Sequence, residues 1–204
     1  MKITSPKLNE NPEQINLKEA LQEDYYISNA TVCSLEGIEE SEGKIIFDQV
    51  LFKQASFVDL HLYQVEFIDC IFEKCDLSNV VMEQAVFHRV ECIACKLFGA
   101  NFADARLTDV RVCENHANYL NLSFSKLKKV SFNNCTLNHA DFIDSTFQHV
   151  EFEACEIDEA NFTDTSLDGV DLSSTTYENL LVSLEDLKGC TVSMEQAIGF
   201  AKSL

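Results

Sequence analysis

The sequence predicts an all-β fold in which short strands stack into a four-sided coil, and three observations carry that prediction. An apolar residue recurs at every fifth position from Phe47 to Leu172, 26 steps without an insertion. Of the 15 phenylalanines, 12 fall in this one register, where an even spread over five registers would leave about three. Residues 20 apart form matched columns, such as Leu62, Met82, Phe102, Leu122, Phe142 and Phe162.

A period of five is neither the helical 3.6 nor the strand period of two, so it is read as a repeat. Two residues before each step lies a second series, mostly small or β-branched: Val50, Ala55, Val65, Cys70, Cys75, Val80 and onward. If both series point inward, each unit is a short extended piece followed by a bend, and four bends close a coil of 20 residues. Roughly six and a half such coils, hydrogen-bonded at about 4.8 Å each, make a rod about 31 Å long. Its stability is then spread over contacts between neighbouring coils.

Taken in order, the 204 residues divide into an N-terminal cap (1–44), the array (45–174) and a C-terminal turn and helix (175–204) within one domain. Both prolines, Pro6 and Pro12, lie in the first segment. Ile15, Leu17, Ala20 and Leu21 suggest a short helix or an irregular cap, and residues 36–43, rich in Glu and Gly, an exposed loop or loose hairpin. An open coil end needs a cover. Outward apolar residues near the start (Ile46, Leu51, Ile68, Ile71, Val81, Val86) predict that part of residues 1–43 packs there. After Ser174 the rhythm stops. Leu180–Val182 reads as a last strand, and Ser193 with Gln196 as a capping box. Met194, Ala197, Ile198, Ala201 and Leu204 form one apolar stripe, predicted to close the C-terminal end of the core. Phe200 lies off that stripe and is a candidate dimer contact.

Units such as Ala100-Asn101-Phe102-Ala103-Asp104, Ala140-Asp141-Phe142-Ile143-Asp144, Ala160-Asn161-Phe162-Thr163-Asp164 and Cys75-Asp76-Leu77-Ser78-Asn79 resemble the A(D/N)LXX motif of pentapeptide repeat proteins. The resemblance covers about 130 of the 204 residues. It implies a right-handed quadrilateral β-helix with a short C-terminal capping α-helix. The stretch Leu184–Ala201 is similar to the terminal turn and helix of bacterial members.

Several chemistries are disfavoured. The nine cysteines include a CxxC (Cys92, Cys95) and a CxxH (Cys113, His116). Yet Cys70, Cys75, Cys95, Cys135 and Cys155 take the small inward position and Cys92 the large one, which reads as core packing. The five histidines fall outward with no two in one column, so four converging zinc ligands are not expected. No catalytic motif is present, and a filled rod offers no deep pocket. The sequence therefore predicts no enzyme, no cofactor and no metal. It shows no membrane span and no signal-peptide core, which predicts a cytoplasmic protein with free thiols.

The exterior is more informative. The formal charge of −19 disfavours direct contact with nucleic acid or an anionic membrane. Residues 130–187 contain no Lys or Arg. Asp141, Asp144, Glu151, Glu153, Glu156, Asp158, Glu159, Asp164, Asp168 and Asp171 there form a candidate acidic partner surface, continued by Glu178, Glu185 and Asp186. Val86–Lys129 holds seven basic residues against four acidic, with Arg89, Arg106, Lys126, Lys128 and Lys129 on one face of the coil. The repeat is weakest at 113–121, where Asn115 and Ala117 are polar and undersized inward residues and Leu120 is oversized. Nearby Phe98, Tyr119 and Phe124 are either an exposed partner patch or tucked away by a local bulge.

Two functional readings follow. Resemblance to the Qnr-type quinolone-resistance proteins implies an acidic, DNA-like rod that binds a type II topoisomerase, DNA gyrase or topoisomerase IV, with a homodimer through the C-terminal helix. Those proteins commonly carry loops that break the register, and this array has none. The other reading is a general protein-interaction scaffold.

Overall fold

The computed structural model describes residues 2–35 and 44–202. The predicted loop or hairpin at 36–43 lies outside the described residues. The elements are β1 (Glu13–Gln14), α1 (Leu17–Glu23), β2 (Tyr26–Val32), β3 (Ile46–Lys53), β4 (Glu66–Glu73), β5 (Val86–Ile93), β6 (Arg106–Cys113), β7 (Lys126–Asn133), β8 (Thr146–Glu153), β9 (Ala160–Asn161), β10 (Leu180–Leu181) and α2 (Met194–Lys202). The fold is the mostly-strand quadrilateral β-solenoid with a C-terminal helix that the repeat predicts.

From β2 to β8 every neighbouring pair is parallel with partners 20 residues apart. The eight-residue strands cover two sides of the coil. Isolated bridges on the series Ser56, Asp76, Lys96 and on His61, Val81, Asn101 stitch the other two. The 20-residue pairing also outruns the apolar rhythm at both ends. It already joins Tyr26 to Ile46 and still joins Glu156 to Thr176, Ala160 to Leu180 and Asp171 to Thr191. That is about eight coils, a rod about 40 Å long.

Two features close the square. The residue two after each apolar step lies at positive φ almost throughout, from Gln49 (57°) to Asp164 (58°), with Gly99 and Gly169 in the same position. Left-handed backbone at non-glycine residues costs about 1–2 kcal/mol each, so the ladder on either side of every corner offsets a recurring strain. Inside, phenylalanine rings stack along the axis and meet edge-on within a coil. Phe52 lies over Phe72 at 4.7 Å and 13°, whereas Phe47 meets Phe52 at 5.1 Å and 78°. Both geometries suit the aromatic quadrupole. Where the inward residues shrink, between Phe87 and Phe132, a void of about 30 Å³ remains, lined by Cys92, Leu97, Val112 and Leu120 among others.

The stretch 113–121 is neither loop nor bulge, a correction to one alternative left by the sequence. His116 bridges both Lys96 and Thr136, and Asn121 bridges Asn101 and Asp141. Asn115 is accommodated because its buried amide finds partners, described below.

The N-terminal segment does two things. Helix α1, capped by the Asn16 side chain on the N–H groups of Lys18 and Glu19, lies at the open end with Leu17 buried against the core. Ahead of it, residues 2–9 run as a strap along the side of the rod. Thr4 reaches Asp109, Lys7 reaches Asp69 and Asn9 reaches Asn29, while Ile3 is buried.

Candidate functional site

The interior settles the cysteine chemistry first. The small inward position is more than a place for small groups. Cys70, Cys75, Cys95 and Cys135 each donate S–H to a backbone carbonyl 23 residues earlier, as do the hydroxyls of Ser125, Ser145 and Thr165. Several also accept the N–H of the residue one coil below: Cys75 N to Cys95 Sγ at 3.4 Å, Ala105 N to Ser125 Oγ at 3.0 Å, Ser145 N to Thr165 Oγ1 at 2.8 Å. Asn115 does both, donating to Cys92 O at 2.9 Å and accepting from Cys95 N. These groups complete the backbone bonds left open at a corner. Burial pushes the Cys70 thiol up to about 12 and that of Cys92 well above its ordinary value. Among the described residues no group of three or more His, Cys, Asp or Glu could hold a metal ion.

Outside, charge divides the rod in two. In the N-terminal half acids and bases on neighbouring coils face one another. Lys44 meets Glu66 at 2.8 Å, Lys53 Glu73 at 3.7 Å, Arg89 Asp69 at 2.5 Å, Lys96 Asp76 at 3.1 Å and Arg111 Glu91 at 2.6 Å. Beyond Lys129 no Lys or Arg follows until Lys188. The acidic residues there surround the rod. Asp168 continues the side formed by the first halves of β3–β8, Glu151, Glu153 and Asp171 lie on the side formed by their second halves, Glu156 and Asp158 on the third, and Asp141 on the fourth, with Glu159, Asp144 and Asp164 at corners.

These carboxylates are not equivalent. The Asp158 carboxylate accepts the N–H groups of Glu178 (2.8 Å) and Asn179 (2.9 Å), bonds that hold it below the usual carboxylate range. Asp171 accepts from Ser173 N at 2.8 Å. Both therefore shape turns as well as carrying charge. Glu153 accepts from Asn133, and Glu159 faces His139 at 3.3 Å. Asp144 and Asp164, exposed at their corners, are free of such turn duties among the described contacts.

The basic face is reduced by its own partners. Arg89 is held by Asp69 and Arg111 by Glu91 and the strap. Arg106 and Lys126 are registered partners on β6 and β7, with Lys128 and Lys129 beside them.

The aromatic residues stand exposed: Phe98 49%, Tyr119 52% and Phe124 55%. Phe98 meets Tyr119 edge-on at 5.4 Å, and Tyr119 stacks on His139 at 4.8 Å and 6°. Phe124 sits at the next corner. Sequence reasoning missed His139, although the 20-residue column containing Tyr119 points to it, and Glu159 follows in the same column. Aromatic and acidic surfaces thus meet at one corner.

The C-terminal end corrects two expectations. The capping box is present, with Gln196 N to Ser193 Oγ at 3.2 Å and Ser193 N to Gln196 Oε1 at 2.8 Å. The apolar stripe, however, faces outward: Met194 is 83% and Ile198 51% exposed, and Ala197 is exposed too. Ala201 and Leu204 lie outside the residues whose side chains are described. Phe200, the candidate dimer contact, packs instead against Tyr177 with ring centroids 6.0 Å apart. The reason is polar. Gln196 Nε2 donates to the carbonyls of Leu172 (2.9 Å) and Thr175 (3.0 Å), fixing the helix rotation so that Phe200 turns toward the last coil. Among the described residues no helix is long and apolar enough to cross a membrane.

With this geometry in view, comparison with known proteins is informative. The pentapeptide repeat region model matches residues 85–162 and 127–196, and the model for eight pentapeptide repeat copies matches 45–84. The uncharacterized protein YisX of Bacillus subtilis (strain 168) is 37% identical over 207 residues, covering 99% of this chain and 95% of its own. Among solved structures, HetL of Nostoc sp. strain PCC 7120, a pentapeptide repeat protein involved in heterocyst differentiation regulation, overlaps 87% of this chain and 89% of its own. The identity is 14% and the TM-score 0.49. Full-length QnrB1, a plasmid-mediated fluoroquinolone resistance protein, overlaps 87% and 98% at 15% identity and a TM-score of 0.42. The family matches from residue 45 to 196 coincide with the coils whose corners, stacked rings and 20-residue ladders are described above, and the chain belongs to the pentapeptide repeat family.

Proposed function

We propose that this protein is a non-enzymatic interaction rod whose acidic C-terminal third engages a basic surface of a partner protein. One observation carries the reading. Residues 130–187 hold thirteen acidic residues and no Lys or Arg, and the carboxylates are distributed over all four sides and two of the corners. Stacking like charges about 5 Å apart is unfavourable, so a surface of one sign kept over several coils supports selection for a partner of opposite charge. An acidic rod of this kind resembles duplex DNA in sign and shape. The partner surface we name is the DNA-binding surface of a type II topoisomerase, DNA gyrase or topoisomerase IV. The protein acts in the cytoplasm, without direct contact to nucleic acid or membrane.

A second reading, an interaction scaffold unrelated to topoisomerases, is favoured by the C-terminal end. Phe200 packs in its own cap, so a two-fold contact there would have to use Met194 and Ile198. On this reading the Phe98, Tyr119 and His139 corner supplies the anchor.

The test is a gyrase and topoisomerase IV supercoiling and relaxation assay with and without a quinolone, paired with direct binding at two salt concentrations. Inhibition or protection that weakens with salt supports the topoisomerase reading. Neither effect at micromolar protein removes it and leaves the scaffold.

A further inference from the structure

We propose that the side of the rod under residues 2–9 is a self-standing binding groove for an extended, proline-containing peptide, and that the strap is its resident ligand. The contacts read backbone more than side chains. Thr4 N donates to Asp109 Oδ1 at 2.9 Å and Lys7 N to Asp69 Oδ1 at 3.0 Å, while Arg111 donates to Ile3 O at 2.7 Å and Ser5 Oγ at 2.9 Å. One acceptor and one donor are positioned by neighbouring coils. Arg89 holds Asp69 through Nε at 2.6 Å, and Glu91 holds Arg111 at 2.6 Å. Asp69 and Asp109 are themselves buried, at 5% and 9% exposure. Aspartate also stands at the corners Asp59, Asp104, Asp144 and Asp164, but there it is exposed; what sets Asp69 and Asp109 apart is their burial against the strap.

The spacing fits one peptide conformation. Asp69 and Asp109 lie two coils apart, about 9.6 Å along the rod. The N–H groups they bind are three residues apart, with Pro6 between them. A flat strand turns such groups to opposite sides. A polyproline II segment returns to the same side every three residues and rises about 9.3 Å in doing so. Its backbone has no internal hydrogen bonds and is left to outside donors and acceptors. The rod therefore acts as a ruler whose two-coil step matches one turn of polyproline II. Ile3 enters the only apolar burial among the described strap residues. The ligand class is accordingly an extended peptide with an aliphatic residue, two small polar residues, a proline and a lysine, and a partner segment of this chemistry would compete with the strap.

The test uses the full-length chain with Ile3→Asp and Thr4→Pro. These changes remove one buried group and one N–H from the strap and leave the rod untouched. The probe is a fluorescein-labelled synthetic peptide of residues 2–10, followed by anisotropy. Trypsin cleavage after Lys7 reports strap release, and far-UV circular dichroism reports the rod. The expected result is faster cleavage, an unchanged spectrum and saturable binding of the probe. Binding to the wild-type chain should be at least tenfold weaker, because its own strap acts at an effective concentration near millimolar. Adding Asp109→Ala, which removes the acceptor, should weaken binding at least tenfold. Unchanged cleavage, no binding to the released chain up to about 1 mM, or equal binding of a scrambled peptide would each overturn the proposal.

Discussion

Asn115 donates from Nδ2 to the carbonyl oxygen of Cys92 at 2.9 Å while its Oδ1 accepts the N–H of Cys95. A carboxamide thus does in one residue what thiols do elsewhere in the column Cys75, Cys95, Cys135 and Cys155. Replacing it by Ala leaves a buried N–H and a buried C=O open, each worth about 1–3 kcal/mol. Asn115→Ala should lose about 3 kcal/mol in urea unfolding, and Asn115→Cys clearly less, because a thiol restores the donor. Equal losses would mean that volume, not hydrogen bonding, governs the position.

Corner strain is separable from sterics at Gly169. Its φ is +77° and an added Cβ meets nothing within 4 Å. Gly169→Ala should therefore cost about 1 kcal/mol through backbone conformation alone. Gly99→Ala should cost at least as much, since its Cβ would stand 2.6 Å from Asn79 Oδ1. Thermal unfolding of the two variants decides the matter. No loss at Gly169 would show that the corner relaxes.

Thiol reactivity should follow burial. Cys33 is exposed, Cys113 and Cys190 are half-buried, and the other six are buried. A thiol held near 12, as at Cys70, presents about one thiolate in 10⁵ at neutral pH. Ellman's reagent should titrate Cys33 at once, Cys113 and Cys190 slowly, and the remaining six only after unfolding. Fast reaction of all nine would contradict the coil core.

The Asp69–Arg89 pair predicts a pH signature. Burial alone would raise the Asp69 carboxyl, but the Arg89 guanidinium and the Lys7 N–H outweigh it and hold the group below its ordinary value. A depressed native value means that the unfolded chain binds the proton first. The contribution is complete above the unfolded value of about 3.9 and is lost as pH falls through the native one. Asp69→Asn should be less stable than the parent by about 2 kcal/mol at pH 7. That difference should close below about pH 4, as followed by urea midpoints. A gap that persists to pH 2 would assign the loss to packing.

Much of this was legible in the sequence because a repeat multiplies a weak signal. One apolar residue at a fifth position says little; 26 in register define the inward face, the 20-residue coil and the columns that became ladders. The charge division was equally legible, since acidic and basic residues sort along the chain before any folding. The column rule even contained the stack of Tyr119 on His139, though aromatic reasoning stopped at Phe98, Tyr119 and Phe124.

What lay outside the repeat was not legible, for a physical reason. Residues 2–9 have no periodicity, and their place depends on Asp69 and Asp109, which are far away in sequence and adjacent only once coils are stacked. The rotation of α2 likewise defied its apolar stripe, because the half-buried Gln196 side chain bonds two carbonyls on the last coil and those bonds outweigh the exposure of a few apolar groups. Sequence alone determined the square coil, its inward residues and its lopsided charge, through patterns that any stacking must respect. Only the tertiary structure decided that Phe200 turns toward Tyr177 on the last coil and that the N-terminal strap lies along the corner column of Asp69 and Asp109, because those outcomes depend on groups brought together by closure of the coil.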